Sequence, residues 1–450
     1  MKLSAEEIAA ATGGRLVRDG EGGVISTDSR KVGAGEWFLA LKGPSFDGNN
    51  YAGMALEQGC VGAVLERIPD DWSRGLVLVD DGLIALQDCA RFGRSNFTGA
   101  VVGITGSAGK TTTRAMISCV LSGSASVHQT LGNLNNHIGL PLTILSAPDS
   151  ATVWVLEMGM SAPGEIALLQ EIASPTHRLI TNVSMAHSEG TGSLLGTAAC
   201  KQELFDGAIS GDTLVVNMDD PLVRAMPTPD NVTVLSYGKS QGCNVRLVSY
   251  EIDLSDLTTN ARIDVAGEEV DVRISAPGEH IALDACAAMA VGHSLGCTAS
   301  DMAIGLSLYS PVGMRMRLES YPNMVTVLND AYNANPASTQ SALSTLKEIK
   351  GRRTVALLGD MLELGDHEAE AHEATLELAL ECGIDILGLV GEAYSTAANK
   401  LGVKAVVAKD SVALAEQMLG TIEPGDVVLI KGSRGLKMER AIPVLFEGVV

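Results

Sequence analysis

Short apolar runs recur along the chain, and their spacing divides it into three stretches. Up to about residue 98, runs at 23–26, 37–40, 62–65 and 76–79 predict strands, with helices over 52–58 and 83–92. From about 99 to 312, runs at 101–105, 152–157, 178–183, 213–217 and 232–236 alternate with helical patterns. That alternation predicts a mainly parallel sheet with ligands gathered at the carboxyl ends of its strands. Residues 244–275 instead alternate polar with apolar side chains, as an antiparallel appendage would. From about 313, runs at 354–358, 384–390, 405–407 and 427–430 alternate with helices again and predict a second doubly wound unit. The expected fold is therefore α/β with three domains, 1–98, 99–312 and 313–450.

The run 100–104 leads into Thr105-Gly106-Ser107-Ala108-Gly109-Lys110-Thr111-Thr112 and then a helical stretch over 111–121. Glycines let backbone N–H groups approach phosphate oxygens, a lysine neutralises β and γ charge, and an adjacent hydroxyl can hold Mg2+. Gly103 stands one position too early for the usual spacing, so this is a variant loop, but its place between strand and helix points to a nucleoside triphosphate. Glu157 ends the next strand, where a partly desolvated carboxylate needs a cation, and Mg2+ is the natural partner. A strand-end glutamate facing solvent is the competing account. His187 follows the strand over 178–183 at the same sheet edge and could share the cation as a neutral imidazole, although a lone histidine there more often caps or packs. Lys201 taken alone reads as a surface lysine. Asp330 to Pro336 favours a turn before a helix over 338–349, and the strand-end groups at 359–365 and 431–435 occupy the usual ligand edge of such sheets.

Composition narrows the function further. A net charge of −22 argues against nucleic-acid binding, so cationic pockets must be local. Eight scattered cysteines show no metal-finger spacing and read as reduced thiols. No apolar run approaches the roughly 18 residues that span a bilayer, and 1–16 reads as a polar amphipathic start. A cytoplasmic protein with no membrane partner is expected.

In their order along the chain, these pieces resemble the ATP-dependent Mur ligases of peptidoglycan synthesis. The resemblance runs through Thr27-Asp28-Ser29-Arg30, Phe46-Asp47-Gly48, the phosphate loop, Gly132-Asn133-Leu134-Asn135-Asn136, Glu157-Met158-Gly159, Ala186-His187, Lys201, Tyr332-Asn333-Ala334-Asn335-Pro336, 359–365 and Lys431-Gly432-Ser433. The N-L-N-N and Y-N-A-N-P stretches resemble the branch that adds D-Ala-D-Ala to a UDP-muramoyl tripeptide, and the D-N-P-R motif of a neighbouring branch is absent. The resemblance implies a small α/β domain for the UDP sugar, a central ATP-binding domain and a Rossmann-like third domain. It implies ATP and Mg2+ as cofactors, these two small molecules as substrates, and a monomer. Ser29, Arg30, Lys42 and Gly43 would receive the UDP sugar, and Asn136 and Lys431 would face substrate. Gly106 to Thr112, Arg315, Asn333 and Asn335 would bind ATP. Thr111, Glu157, His187 and a carbamylated Lys201 would serve magnesium, with Lys110, His187 and Lys201 catalytic. Three departures stand out: Ile281 and Asp284 replace two asparagines of a G-x-H-N-x-x-N helix start, and Asn49 stands in place of a histidine. Another amide ligase of the superfamily, such as a folylpolyglutamate synthase, and a nucleotide-dependent switch without catalysis are the rival readings.

Overall fold

The computed structural model describes residues 1–185, 188–349 and 351–447. Three main sheets follow one another along the chain. Strands between 15 and 78 form a five-stranded sheet, those between 100 and 274 a nine-stranded sheet, and those between 317 and 431 a six-stranded sheet. Helices separate most of the strands, which explains why the pairing is largely parallel.

In the nine-stranded sheet the central strands Ala100–Thr105, Val153–Glu157, His177–Ile180 and Thr213–Asn217 are almost wholly buried. Successive side chains point to opposite faces, so each strand feeds two cores. Val101, Trp154, Leu156, Ile180 and Leu214 enter one core beneath the helices Gly82–Ser95, Gly139–Leu145, Glu165–Ala173 and Leu194–Asp206. Val102, Val155, Leu179 and Val215 enter the other, beneath Lys110–Leu121, Glu279–Ser294 and Ala299–Ser307. The predicted antiparallel segment extends this same sheet, because Tyr237 and Gly238 pair in parallel with Val245 and Arg246 before the chain doubles back through Val245–Asp253, Thr258–Val265 and Glu268–Ile274.

Shared apolar cores link the units. Gly82–Ser95 carries Leu86, Cys89 and Ala90 into one continuous core with Trp37 and Val64 on one side and Leu140 and Ile144 on the other. At the tip of the hairpin between Val245–Asp253 and Thr258–Val265, Leu257 belongs to the core of the last unit together with Leu343, Leu346 and Ile349. Tyr250 on the same hairpin donates a hydrogen bond to Glu348 at 2.9 Å.

Several elements differ from the pattern expected of them. The strand expected over 178–183 leaves the sheet after Ile180, because Thr181 and Asn182 turn toward the phosphate loop. Strands Arg15–Arg18 and Arg317–Tyr321 go unpredicted, since their side chains are mostly polar or exposed and lack an apolar run.

Leu257 has φ +56°, a conformation that costs leucine and alanine alike, so Leu257→Ala isolates the lost volume. We expect a loss of about 2 to 4 kcal/mol, read as a lower urea midpoint for tertiary structure. A change below about 0.5 kcal/mol, the range of an ordinary surface substitution, contradicts this packing.

Candidate functional site

The phosphate loop lies between the strand Ala100–Thr105 and the helix Lys110–Leu121, whose N-terminus carries unpaired N–H groups and partial positive charge. Two glycines shape it. Gly106 has φ +152°, and a Cβ there would lie 1.8 Å from Thr181 Oγ1. Gly109 has φ +81°, and a Cβ there would lie 2.6 Å from Asp284 Oδ1. The segment after His177–Ile180 braces the loop. Ala108 N donates to Asn182 Oδ1 at 2.9 Å, Thr181 Oγ1 donates to Ala108 O at 2.6 Å, and Ser184 N donates to Ser107 Oγ at 2.9 Å.

Beside the loop, Glu157 is buried at the end of its strand. Its carboxylate accepts from Thr111 Oγ1 at 2.8 Å and from Asn135 Nδ2 at 2.9 Å, and Arg114 lies 3.9 Å away. The glutamate thus faces inward toward the loop hydroxyl, which discards the solvent-facing account. Lys110 Nζ donates to Gly106 O at 2.6 Å. Burial lowers the Lys110 pKa, while Glu157 opposes that shift and Arg315 adds to it. Lys201, on the helix Leu194–Asp206, is 2 % exposed and is therefore no surface lysine. Burial, with Lys110 as a second cause, pushes its pKa well below the usual lysine range.

The last unit supplies the opposite wall. Asn335 caps the helix Pro336–Glu348 through Ser338 N and also donates from Nδ2 to Ser107 O at 3.1 Å, tying the two units at the loop itself. Arg315 stacks 3.7 Å over the Tyr332 ring. Lys431 Nζ donates to Asp330 Oδ2 and, at 3.1 Å, to Asn333 O. Between these walls lies a cavity of about 620 Å3. Gly106 to Thr112, Asn136, Glu157, Lys201, Arg315, Asn333, Asn335 and Lys431 all line it, so the structure brings together most of the residues singled out from the sequence.

Some do not gather there. His187 lies outside the described residues. Ser29, Arg30, Lys42 and Gly43 belong to the first unit and do not line this cavity. The Arg30 guanidinium is 77 % exposed and pairs with Asp28 at 2.8 Å, while Lys42 and Gly43 pair with Asp47 and Phe46 in a two-stranded hairpin. Asn49 is buried and accepts from Glu66 N at 2.8 Å. Asp360, expected at a ligand edge, accepts from Ala393 N and Tyr394 N and so caps the helix Glu392–Leu401. Nearby, Leu362 N donates to Ser433 Oγ, and Glu363 O accepts from Glu189 N. Sequence reasoning missed the bracing role of Thr181 and Asn182 and the inward position of Arg114; a polar pair just past a strand end was the available signal for the first.

The oxygen donors at Thr111 and Glu157 suit a hard divalent cation such as Mg2+, which favours carboxylate, hydroxyl and water ligands. No group of three or more His, Cys, Asp or Glu side chains suited to a metal occurs among the described residues, so substrate phosphates and water would complete the coordination.

Residues 104–292 match the Mur ligase middle domain, and residues 314–434 match the Mur ligase, glutamate ligase domain. The UDP-N-acetylmuramoyl-tripeptide--D-alanyl-D-alanine ligase of Bacillus subtilis (strain 168) is 35% identical over 433 residues, covering 94% of this chain and 93% of the relative. A crystal structure of MurF from Acinetobacter baumannii superposes with a TM-score of 0.90 at 27% identity, over 99% of each chain. MurF ligase from Thermotoga maritima, solved in complex with ADP, superposes with a TM-score of 0.84 at 30% identity, over 94% of this chain and 97% of the other.

Gly106→Ala places a methyl group against Thr181 in a backbone conformation that alanine avoids. We expect ADP affinity to fall at least about tenfold, equivalent to about 1.4 kcal/mol of lost binding, with the far-ultraviolet spectrum retained. Unaltered affinity contradicts the loop's role.

Proposed function

The chain belongs to the Mur ligase family, and we propose that it joins D-Ala-D-Ala to UDP-N-acetylmuramoyl-tripeptide at the expense of ATP, releasing ADP and phosphate. Likeness to curated ligases of that activity over nearly the whole chain supports the reading. The observation that carries it is the cavity between the second and third units, where a phosphate loop, the half-buried Lys110 and the buried Lys201 converge.

The chemistry follows from charge and position. Backbone N–H groups of Gly106 to Thr112 would cradle the phosphates, and the Lys110 ammonium would neutralise charge as the γ-phosphoryl group moves to the tripeptide carboxylate. Arg315, Asn333 and Asn335 would contact the nucleotide from the third unit, with Asn136 and Lys431 toward substrate. The product of this first step is an acyl phosphate, and the D-Ala-D-Ala amine then attacks its carbonyl and expels phosphate. Acyl phosphates hydrolyse in water, so the Asn335–Ser107 contact has a chemical purpose in closing the third unit over the loop.

Thr111 and Glu157, with His187 and a modified Lys201, would hold Mg2+, which supplies electrophilic charge at the transferring phosphoryl group. Burial lowers the Lys201 pKa and so favours the neutral amine, the form that is a nucleophile for CO2. The resulting carbamate replaces an amine whose charged form Lys110 disfavours with an anion that attracts Lys110 and can ligate a metal. In the first unit, Ser29, Arg30 and the Lys42-Gly43 hairpin would receive the UDP sugar. We place the domains at 1–98, 99–312 and 313–450 and the activity in the cytoplasm, where ATP is available, carried out by a monomer. No helix among the described residues is long and apolar enough to cross a membrane.

Phosphate release assayed with UDP-muramoyl tripeptides and a panel of amines tests the reading. D-Ala-D-Ala should stimulate release, while a diamino acid or glutamate should not; stimulation by glutamate alone would point to a folylpolyglutamate synthase. Lys201→Ala should lower ligation by roughly a thousandfold, the scale of losing one preorganised electrostatic group, and bicarbonate should not restore it. Wild-type activity in that variant removes the carbamate.

A further inference from the structure

Four carboxyl groups line the cavity among the described residues, and they differ in what faces them. Glu157 has Thr111, Asn135 and Arg114. Asp330 has Lys431 and Met316 N, and Glu165 accepts from Ser161 N and Ala162 N. Asp284 accepts one hydrogen bond, from Thr113 Oγ1 at 3.0 Å, and forms no ion pair among the described residues. It sits on the helix Glu279–Ser294 directly behind the phosphate loop, where its Oδ1 is so close to Gly109 that no side chain fits between them.

What surrounds Asp284 offers no compensating charge. Tyr237 approaches from the strand Thr233–Gly238, Tyr309 from beyond the helix Ala299–Ser307, and Cys286 from its own helix. Burial pushes all three upward, so they stay neutral. His280, one turn earlier, is held down to about 4 by burial and is neutral as well. Glu279 pairs outward with Lys239 at 3.0 Å. Lys110 points back to Gly106 O, and Arg315 lies over Tyr332. The carboxyl is partly open to solvent on its cavity side, so a ligand that fills the cavity removes its remaining hydration and brings phosphate charge beside it. An unpaired carboxylate resists both changes, whereas a carboxylic acid tolerates them and gains a donor.

We propose that Asp284 serves the nucleotide site as a neutral carboxylic acid, a hydrogen-bond donor behind the phosphate loop, so that nucleotide binding is coupled to protonation of this one side chain. Burial raises the group to about 8, against the weaker opposing effect of Thr113, which puts the transition within reach of ordinary buffers. Its protonated form favours binding, so affinity is full below this value and falls as pH rises through it. ADP is the suitable probe because its own phosphates are fully ionised across the alkaline range.

The inference rests on the cavity being the nucleotide site, and calorimetric ADP titrations at about pH 7 and pH 9.5 separate the two claims. Wild-type affinity should fall about tenfold or more between these values, and in Asp284→Asn, which keeps the shape and a fixed N–H donor, the fall should be several times smaller. The ratio within each protein is the readout, since the lowered Lys110 pKa is common to both. Repeating the titration at about pH 8.5 in buffers of different ionisation enthalpy should show greater proton uptake by the wild type than by the variant. Equal pH ratios in the two proteins, or no wild-type proton uptake, overturn the role of Asp284. Absence of ADP binding at every pH overturns the nucleotide site itself and this inference with it.

Discussion

The molecule brings two lysines with lowered pKa values together at one point of an otherwise acidic chain. Lys110 and Lys201 are both surrounded by protein and each lowers or is lowered by a neighbouring cation, while the one carboxylate nearest the loop, Glu157, is already shared among Thr111, Asn135 and Arg114. Charging both lysines at once is costly in isolation, because a desolvated ammonium beside another loses water without gaining a counter-charge. An anionic ligand supplies the missing counter-charge and favours the charged form of Lys110. On the proposed reading, the triphosphate and the carbamate are the anions that this part of the fold is organised to receive, and the net charge of −22 elsewhere makes the pocket more selective as a local attractor.

Three features of the fold hold that charge in place. Parallel strands bring the loop, Glu157 and the Thr181–Ser184 segment to one sheet edge, as their pairing register requires. The polar segment past Ile180 fixes the loop through backbone and side-chain bonds, so the glycines at 106 and 109 can keep conformations that other residues avoid. Among the described residues the third unit is attached through the buried Leu257 hairpin, through Asn335 at the loop itself and through Glu363 O, which accepts from Glu189 N. A fixed anchor combined with a light polar contact at the mouth is what a closing unit needs if it is to exclude water and still release product.

Much of this was legible in the sequence because it depends on local pattern. Buried parallel strands read as unbroken apolar runs, and a phosphate loop must lie between strand and helix, so Ala100–Thr105 and the helix beginning at Lys110 could be placed without tertiary information. What could not be read depends on neighbours distant in sequence. Lys201 on its helix is indistinguishable by composition from a solvated lysine, and only packing makes it a buried, low-pKa amine. Asp360 sits at the expected ligand edge yet is consumed as the cap of a helix more than thirty residues later. Arg317–Tyr321, a polar edge strand, carries no apolar run because its burial is partial. The replacement at Asp284 was visible as a departure, but its meaning required the position of Gly109.

The central claim is that the site transfers a phosphoryl group to a substrate carboxylate, and oxygen tracing tests it most directly. With tripeptide substrate labelled by 18O in the accepting carboxylate, the phosphate released during ligation to D-Ala-D-Ala should carry one labelled oxygen per molecule. Phosphate free of label, with amide product formed at the normal rate, would contradict the acyl phosphate and the account of the site built on it.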